Sequence, residues 1–261
     1  MIETDDRAPA EQWYGRLWLL PDKRMIVYAG NGSTSSSHSH HAVQLVVALD
    51  GEITLSLGET TRRLWSAIIP RDTEHAVDIE GPALVIWLDP HSETGHLLDS
   101  WADDLQGQEL GLTLAHLDLA DPDIDVVHLV DSILEKLDAT PDKLPEISPR
   151  VQRALTYLDQ ELSNSPTLVE AAARAAVSSS RLTHLFTREV GIPFRRYALW
   201  LRLLRAVECV ADGHDLTRAA ADAGFSDSAH LSRTFRSTFG LPPSAMLILE
   251  IARVALATGE E

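Results

Sequence analysis

The C-terminal part of this chain contains the same unit twice. Leu182, Phe186, Gly191 and Pro193 reappear 49 residues later as Leu231, Phe235, Gly240 and Pro242, and the segments FTREVGIP and FRSTFGLP display the match. Upstream, Ala172…Ala176-Val177-Ser178 reappears 48 residues later as Ala220…Gly224-Phe225-Ser226, so the second turn carries one extra residue. Each unit reads as a short Ala-rich helix, a tight turn on a small residue, and a second helix opening on small polar residues. That pattern is a helix-turn-helix, expected over residues 165–191 and again over 214–240. The Leu and Phe of each second helix stand four apart, so both bury on one face and leave the polar positions between them outward. A helical bundle or solenoid without a nucleic-acid role is the plainer alternative. Turn, helix and Gly-x-Pro exit recurring together favour the helix-turn-helix.

Charge first argues against a nucleic-acid partner and then, by its distribution, for one. The 261 residues hold 22 Lys and Arg against 39 Asp and Glu, a net charge of −17, whereas phosphate neutralisation needs cations. From Arg150 to Glu261, however, there are 13 Arg, no Lys and 12 acids, a balance of +1, which leaves −18 on the first 149 residues. Arg is the side chain best shaped for phosphates and guanine edges. The break in charge also marks a break between domains. The acidic part would be repelled by a duplex, leaving contact to the Arg-rich part.

Ahead of that break the pattern is different. Ala42–Leu49, Ile53–Leu57, Leu64–Ile69 and Ala83–Leu88 are β-rich runs separated by Asp50-Gly51, Gly58-Glu59, Pro70-Arg71-Asp72 and Gly81-Pro82. Strands this short and evenly spaced predict a sandwich or small barrel over residues 1–95. From His96 the pattern turns helical, and Ile124, Val127, Val130, Ile133/Leu134 and Leu137 form an amphipathic stripe within a segment spanning 96–138. That stripe would bury either on its own domain or against a second copy in a homodimer. Asp138–Pro149, with three prolines, reads as a linker, and 149–261 as the helical domain. No apolar run reaches the length of a membrane span, and Met1 to Pro9 is acidic and polar, unlike a signal peptide. A single cysteine, Cys209, excludes an internal disulfide framework, so the expected compartment is the cytoplasm, with no membrane partner.

The run from Ala220 to Pro243, Ala-x-x-x-Gly-Phe-Ser-Asp-x-x-x-Leu-Ser-Arg-x-Phe-Arg…Phe-Gly-x-Pro-Pro, resembles the second motif of AraC/XylS-type transcription regulators. The resemblance covers about Pro149 to Met246. It implies two helix-turn-helix subdomains joined by a long helix, here Pro193–Ala211, whose recognition helices enter successive major-groove segments about one helical turn apart. It also implies double-stranded DNA as partner, a small-molecule effector, pairing as a homodimer and contact with RNA polymerase. Matched one at a time, Ser180, Thr183 and His184 in the first recognition helix and Ser228, Ser232 and Arg233 in the second fall on base-facing positions. Arg233 is the strongest candidate, because a guanidinium grips guanine bidentately for about 1–3 kcal/mol of discrimination. Arg181, Arg188, Arg195, Arg196 and Arg236 are candidate phosphate contacts. Two departures stand out. His184 occupies a position where Arg is commoner, which implies weaker or pH-sensitive readout by the first motif. After Pro243 the usual Tyr-Arg is replaced by Ala245-Met246-Leu247, and the apolar tail Met246–Ala257 reads as an extra helix on the second subdomain.

In the acidic part, Gly32-x5-His38-x-His40-x3-Gln44-x6-Gly51 resembles the first metal motif of cupins, with Gln44 where that motif has Glu. Pro70-x-Asp72-x2-His75 resembles the second, with Asp for its Gly. On a strand, His38 and His40 point to one face, and His75 on a neighbour would complete a three-imidazole site. Gln44 would be a neutral, weak oxygen ligand. Iron, zinc, manganese and nickel all suit such donors. A polar strand edge without metal is the alternative, as cupin-like sensor domains commonly keep the barrel and lose the ion. The expected fold is thus α+β: a cupin-like β-barrel or sandwich with helices, then an all-α domain of two helix-turn-helix subdomains. The expected function is an effector-controlled DNA-binding transcription regulator, not an enzyme, with the effector in the barrel mouth. A metal-dependent cupin enzyme carrying an accessory helical domain is the alternative.

Overall fold

The computed structural model describes residues 14–20, 23–32, 34–105, 124–136, 146–240, 242–244 and 249–253. Its first half is built on period-two alternation. In β3 (Val43–Ala48), Val43, Leu45 and Val47 enter one core while Val46 and Ala48 enter another, so both faces of the strand are covered. The strands β1 (Tyr14–Leu20), β2 (Met25–Asn31), β6 (Ser66–Ile69) and β8 (Pro82–Leu88) join β3 and the late strand β9 (Glu250–Arg253) in a six-stranded sheet ordered β6-β3-β8-β2-β1-β9. A smaller sheet, β5-β4-β7, comprises β4 (Ile53–Leu57), β5 (Thr60–Leu64) and β7 (Ala76–Ile79). Among the described residues neither sheet closes on itself, so the domain is an open two-sheet sandwich rather than a closed barrel.

One face of the large sheet carries helices. Leu98 of α1 (Glu93–Leu105) and Val126, Val130 and Ile133 of α2 (Val126–Lys136) pack with Val43, Leu45, Ile86 and Leu88. Val130 and Ile133 of the amphipathic stripe are therefore buried against their own sheet, with Ile124, Val127 and Leu134 half-buried beside them; Leu137 lies outside the described residues. Over the opposite face two bodies sit side by side. The small sheet covers Val46, Ala83 and Val85, and the helical domain covers Leu17, Leu19 and Ile26 toward the sheet edge.

The tail after the second helix-turn-helix departs from expectation. Instead of a helix, Glu250–Arg253 forms β9, parallel to β1, with the Arg16 guanidinium donating to Glu250 Oε2 at 3.0 Å. The physical reason is the edge of β1, whose unpaired N–H and C=O groups are satisfied by an added strand. Residues 245–248 and 254–261 of that tail, the linker as far as 145, and the acidic N-terminus lie outside the described residues.

The helical domain comprises α3 (Pro149–Glu161), α4 (Leu168–Arg174), α5 (Ser179–Val190), α6 (Phe194–Ala211), α7 (Leu216–Asp222) and α8 (Ser228–Phe239). The duplication is exact enough to show in the caps. Thr167, Ser178, Asp215 and Asp227 each cap a helix by accepting from the N–H three residues on, and α5 and α8 both end on a left-handed glycine, Gly191 and Gly240. The turns also match: Ala176 and Gly224 both adopt positive φ, at 53° and 78°. Leu182 and Phe186 in the first unit, and Leu231 and Phe235 in the second, are buried as their spacing requires.

The equivalence of the two turns yields a stability prediction. Ala176 is exposed and carries a Cβ in the left-handed region, where an L-residue costs roughly 1–2 kcal/mol, partly offset by the unfolded-chain freedom of glycine. Ala176→Gly is expected to stabilise the protein by about 0.5–1 kcal/mol in urea unfolding; a destabilised variant would contradict the assigned turn.

Candidate nucleic-acid interface and the histidine cluster behind it

The recognition helices are oriented by what they bury. Leu182, Leu185, Phe186 and Val190 fix one face of α5, which leaves Ser180, Arg181, Thr183, His184 and Arg188 exposed. On α8, Leu231, Phe235 and Phe239 are buried, Arg233 and Arg236 are exposed, and Ser228 and Ser232 are half-buried. Several candidates already have partners within the chain. The Thr183 hydroxyl donates to Ser179 O at 3.0 Å and Arg188 pairs with Glu189 at 2.7 Å. Arg195, at the start of α6, is exposed. Arg196 acts toward the β domain instead. Burial alone would raise the Asp72 carboxyl, but the His41 ring bonded to it, with Arg71 and Arg196 nearby, holds it below its ordinary value.

The C-terminal ends of α5 and α8 abut the β domain. At the end of α5, a Cβ built on Gly191 would lie 2.7 Å from the Arg71 guanidinium, which is itself held by Asp99 of α1 at 3.0 Å. At the end of α8, Gly240 O accepts from Ser36 N at 3.2 Å and from Ser36 Oγ at 3.0 Å. Phe239 is wedged among Trp87, Trp200 and Phe235, with ring centroids 6.2, 6.0 and 4.5 Å away.

Immediately behind Gly240 lie the three histidines. His38 and His75 form a β-bridge through reciprocal backbone hydrogen bonds of 2.9 Å, although neither belongs to a named strand. His40 completes the cluster, and one ligand atom from each ring lies within 4.8 Å of the others. All three rings are arranged alike. Each Nδ1 faces a backbone carbonyl: His38 to Ser36 at 2.7 Å, His40 to Ala42 at 2.9 Å and His75 to Thr73 at 2.9 Å. A carbonyl only accepts, so Nδ1 carries the proton and Nε2 presents its lone pair. Burial enforces the neutral form, taking His40 down to about 4 and His75 to about 3, with His38 also lowered.

Gln44, in β3, then meets a conflict. Its Oε1 lies 2.9 Å from His40 Nε2 and 3.0 Å from His75 Nε2, which sets an acceptor against two lone pairs. The amide resolves this in either of two ways: turned over, its NH2 donates one hydrogen to each ring, and unturned, its oxygen joins the nitrogens around a cation. Neutral imidazoles with Nδ1 tied to carbonyls and Nε2 converging are the donor set of a divalent-metal site, so these four residues fit an ion. His38, His40, Gln44 and His75 would hold it, and the ion would supply a positive charge at a buried point.

A separate cavity of about 470 Å³ opens between the edge of the large sheet and helices α3 and α6, rather than at the mouth of the sandwich. Leu19, Ile26, Trp87 and Trp200 are among its walls, and Arg24 and Asp159 are among its polar groups. Among the described residues, the buried indole N–H groups of Trp87 and Trp200 meet no hydrogen-bond partner. Sequence patterning missed this cavity, because its walls come from residues more than a hundred positions apart. Ser36, Arg71 and Phe239 were missed for the same reason.

A duplicated, capped helix-turn-helix presenting arginines from two exposed helix faces defines a DNA-binding module of the transcription-regulator class. The family model described as "Helix-turn-helix domain" matches residues 171–247. The HTH-type transcriptional regulator GbdR of Pseudomonas aeruginosa is 30% identical over 96 residues, 36% of this chain; the chain spans only about a quarter of the length of that relative, 26%. HTH-type transcriptional regulator NimR of Escherichia coli is 24% identical over 237 residues, covering 83% of this chain and 84% of its own. ToxT from Vibrio cholerae shares the overall fold, with a TM-score of 0.53 at 13% identity, over 85% of this chain and 96% of that one. The helical domain is thus similar to the helix-turn-helix domains of proteins described as transcriptional regulators. No helix among the described residues is long and apolar enough to cross a membrane.

The histidine cluster carries its own prediction. Purified protein stripped of metal and dialysed against Zn²⁺ is expected to retain the ion stoichiometrically, and His40→Ala to lose it, as read by elemental analysis. Equal retention by both would place any bound zinc elsewhere.

Proposed function

We propose that this protein is a cytoplasmic, sequence-specific DNA-binding transcription regulator whose N-terminal β domain responds to a small-molecule or metal effector. The observation that carries the reading is the pair of capped recognition helices, each with its buried Leu and Phe on one side and its polar face open to solvent. Ser180, Thr183 and His184 of α5 and Ser228, Ser232 and Arg233 of α8 are the base-facing set. Arg181, Arg195 and Arg236, all exposed, are the backbone contacts that set register. A homodimer would place two such modules on two half-sites, and RNA polymerase would be the protein target at a promoter.

Two features support effector control. The cavity between the domains is large enough for a small ligand and is walled by Leu19, Ile26, Trp87 and Trp200, which suits a molecule with an apolar frame. A ToxT structure was solved with an unsaturated fatty acid bound, so a protein of this fold accommodates such a ligand. The histidine cluster is the second candidate, for a divalent ion.

The test begins with duplexes selected by the protein from random sequence. Arg233→Ala is expected to weaken the selected duplex by about 1–3 kcal/mol while changing non-specific binding little. Unchanged specific affinity would remove Arg233 from base readout. His184→Arg is expected to raise affinity through the half-site read by α5 and leave the other half-site's sequence preference alone. A gain spread evenly over unrelated sequences would show a phosphate contact instead.

A further inference from the structure

The histidine cluster and the second recognition helix are joined by a continuous hydrogen-bonded path. His38 Nδ1–H donates to Ser36 O at 2.7 Å; the same Ser36 donates through both its N–H and its hydroxyl to Gly240 O, the carbonyl just past the end of α8. The approach is so close that a Cβ on Gly240 would lie 2.6 Å from His38 Nδ1, 2.7 Å from Ser36 O and 2.9 Å from the Ser35 Cβ. One residue earlier, Phe239 sets its ring 6.3 Å from that of His40. Two of the three imidazoles therefore touch the end of the helix that carries Arg233.

We propose that divalent-metal occupancy of the His38–His40–His75–Gln44 site is thermodynamically coupled to DNA binding by α8, with Ser36 as the coupling residue. The inference rests on the metal-effector reading of that cluster and adds to it a route and a sign. His38 has both ring nitrogens committed when its Nε2 is a ligand. Its Nδ1–H then becomes a stronger donor and fixes the Ser36 peptide, which in turn fixes Gly240 and the C-terminal turn of α8. Because Arg71 and Ser36 belong to one domain, fixing Gly240 also fixes the relation between the ends of α5 and α8. The docked arrangement leaves Thr183, His184 and Arg233 exposed and is taken as the DNA-reading state. Holding it rigid removes ordering cost from binding, and the affinity for DNA rises. Coupling of this kind is reciprocal: the duplex must raise the affinity for metal by the same factor.

The experiment uses the full chain, the selected duplex and Zn²⁺ as the probe. Saturating Zn²⁺ is expected to tighten the wild-type complex about tenfold, within the usual range for two coupled sites. Ser36→Ala, which touches neither metal nor DNA and keeps the Ser36 N–H to Gly240, is expected to bind Zn²⁺ by calorimetry as wild type does and to lose part of the tightening. Ser36→Thr restores the hydroxyl and is expected to restore the response. His75→Ala is expected to lose both Zn²⁺ binding and the response. Wild-type protein that takes up Zn²⁺ with unchanged or weakened duplex affinity would overturn the coupling while leaving the metal site standing. A Ser36→Ala response equal to wild type would overturn the part of the route that runs through the Ser36 hydroxyl. Failure of wild-type protein to bind Zn²⁺ would overturn the metal reading and the coupling together.

Discussion

The arrangement depends on one constraint: the C-terminal ends of both recognition helices are held against the β domain. A helix ends with carbonyls that have no partner within it, and these must be satisfied by something. At α8 the task falls to Ser36, which donates twice to the Gly240 carbonyl. At α5 the Arg71 guanidinium lies against Gly191, a cation at the negative end of a helix dipole. Only glycine fits both places. The left-handed backbone that closes each helix coincides with a contact too close for a side chain. Helix termination and domain docking are therefore met by the same two residues.

From this docking the division of labour follows. In the proposed reading the N-terminal halves of α5 and α8 contact bases, while their C-terminal ends meet the acidic domain. The first 149 residues carry the chain's net negative charge, −18 against +1 for the rest, and would be repelled from a duplex, which leaves the Arg-rich helices to approach phosphate. Phe239, Trp87 and Trp200 sit together, with the histidine cluster on one side and the cavity walls contributed by the same two tryptophans. An effector at either place acts next to the end of α8. That closeness is what a sensing domain needs if its ligand is to bias a helix it never touches on the DNA side.

Much of this was legible in the sequence where the signal is local. The 49-residue repeat located both helix-turn-helix units, because buried Leu and Phe at i, i+4 and a glycine exit are short-range requirements. The spacing of His38, His40 and His75 singled out residues that do converge, though by a bridge and a turn rather than from one regular strand. What was illegible is long-range. Nothing near Ser36 signals that it lies under Gly240, more than two hundred residues later. The tail after Pro243 reads as helix-forming, yet the open edge of β1 recruits Glu250–Arg253 as a strand. The stripe of α2 was readable as apolar, but whether it meets its own sheet or another copy is decided only by the space left over Val43, Leu45 and Leu88.

The central claim is that two unequal recognition helices, docked on one domain, read adjacent stretches of one duplex. Hydroxyl-radical footprinting of the wild-type protein on its selected duplex tests this most directly. Two protected segments on one face of the DNA, centred about 10 base pairs apart for each bound chain, are the predicted result. A single protected segment, or protection that is uniform and independent of sequence, would contradict it.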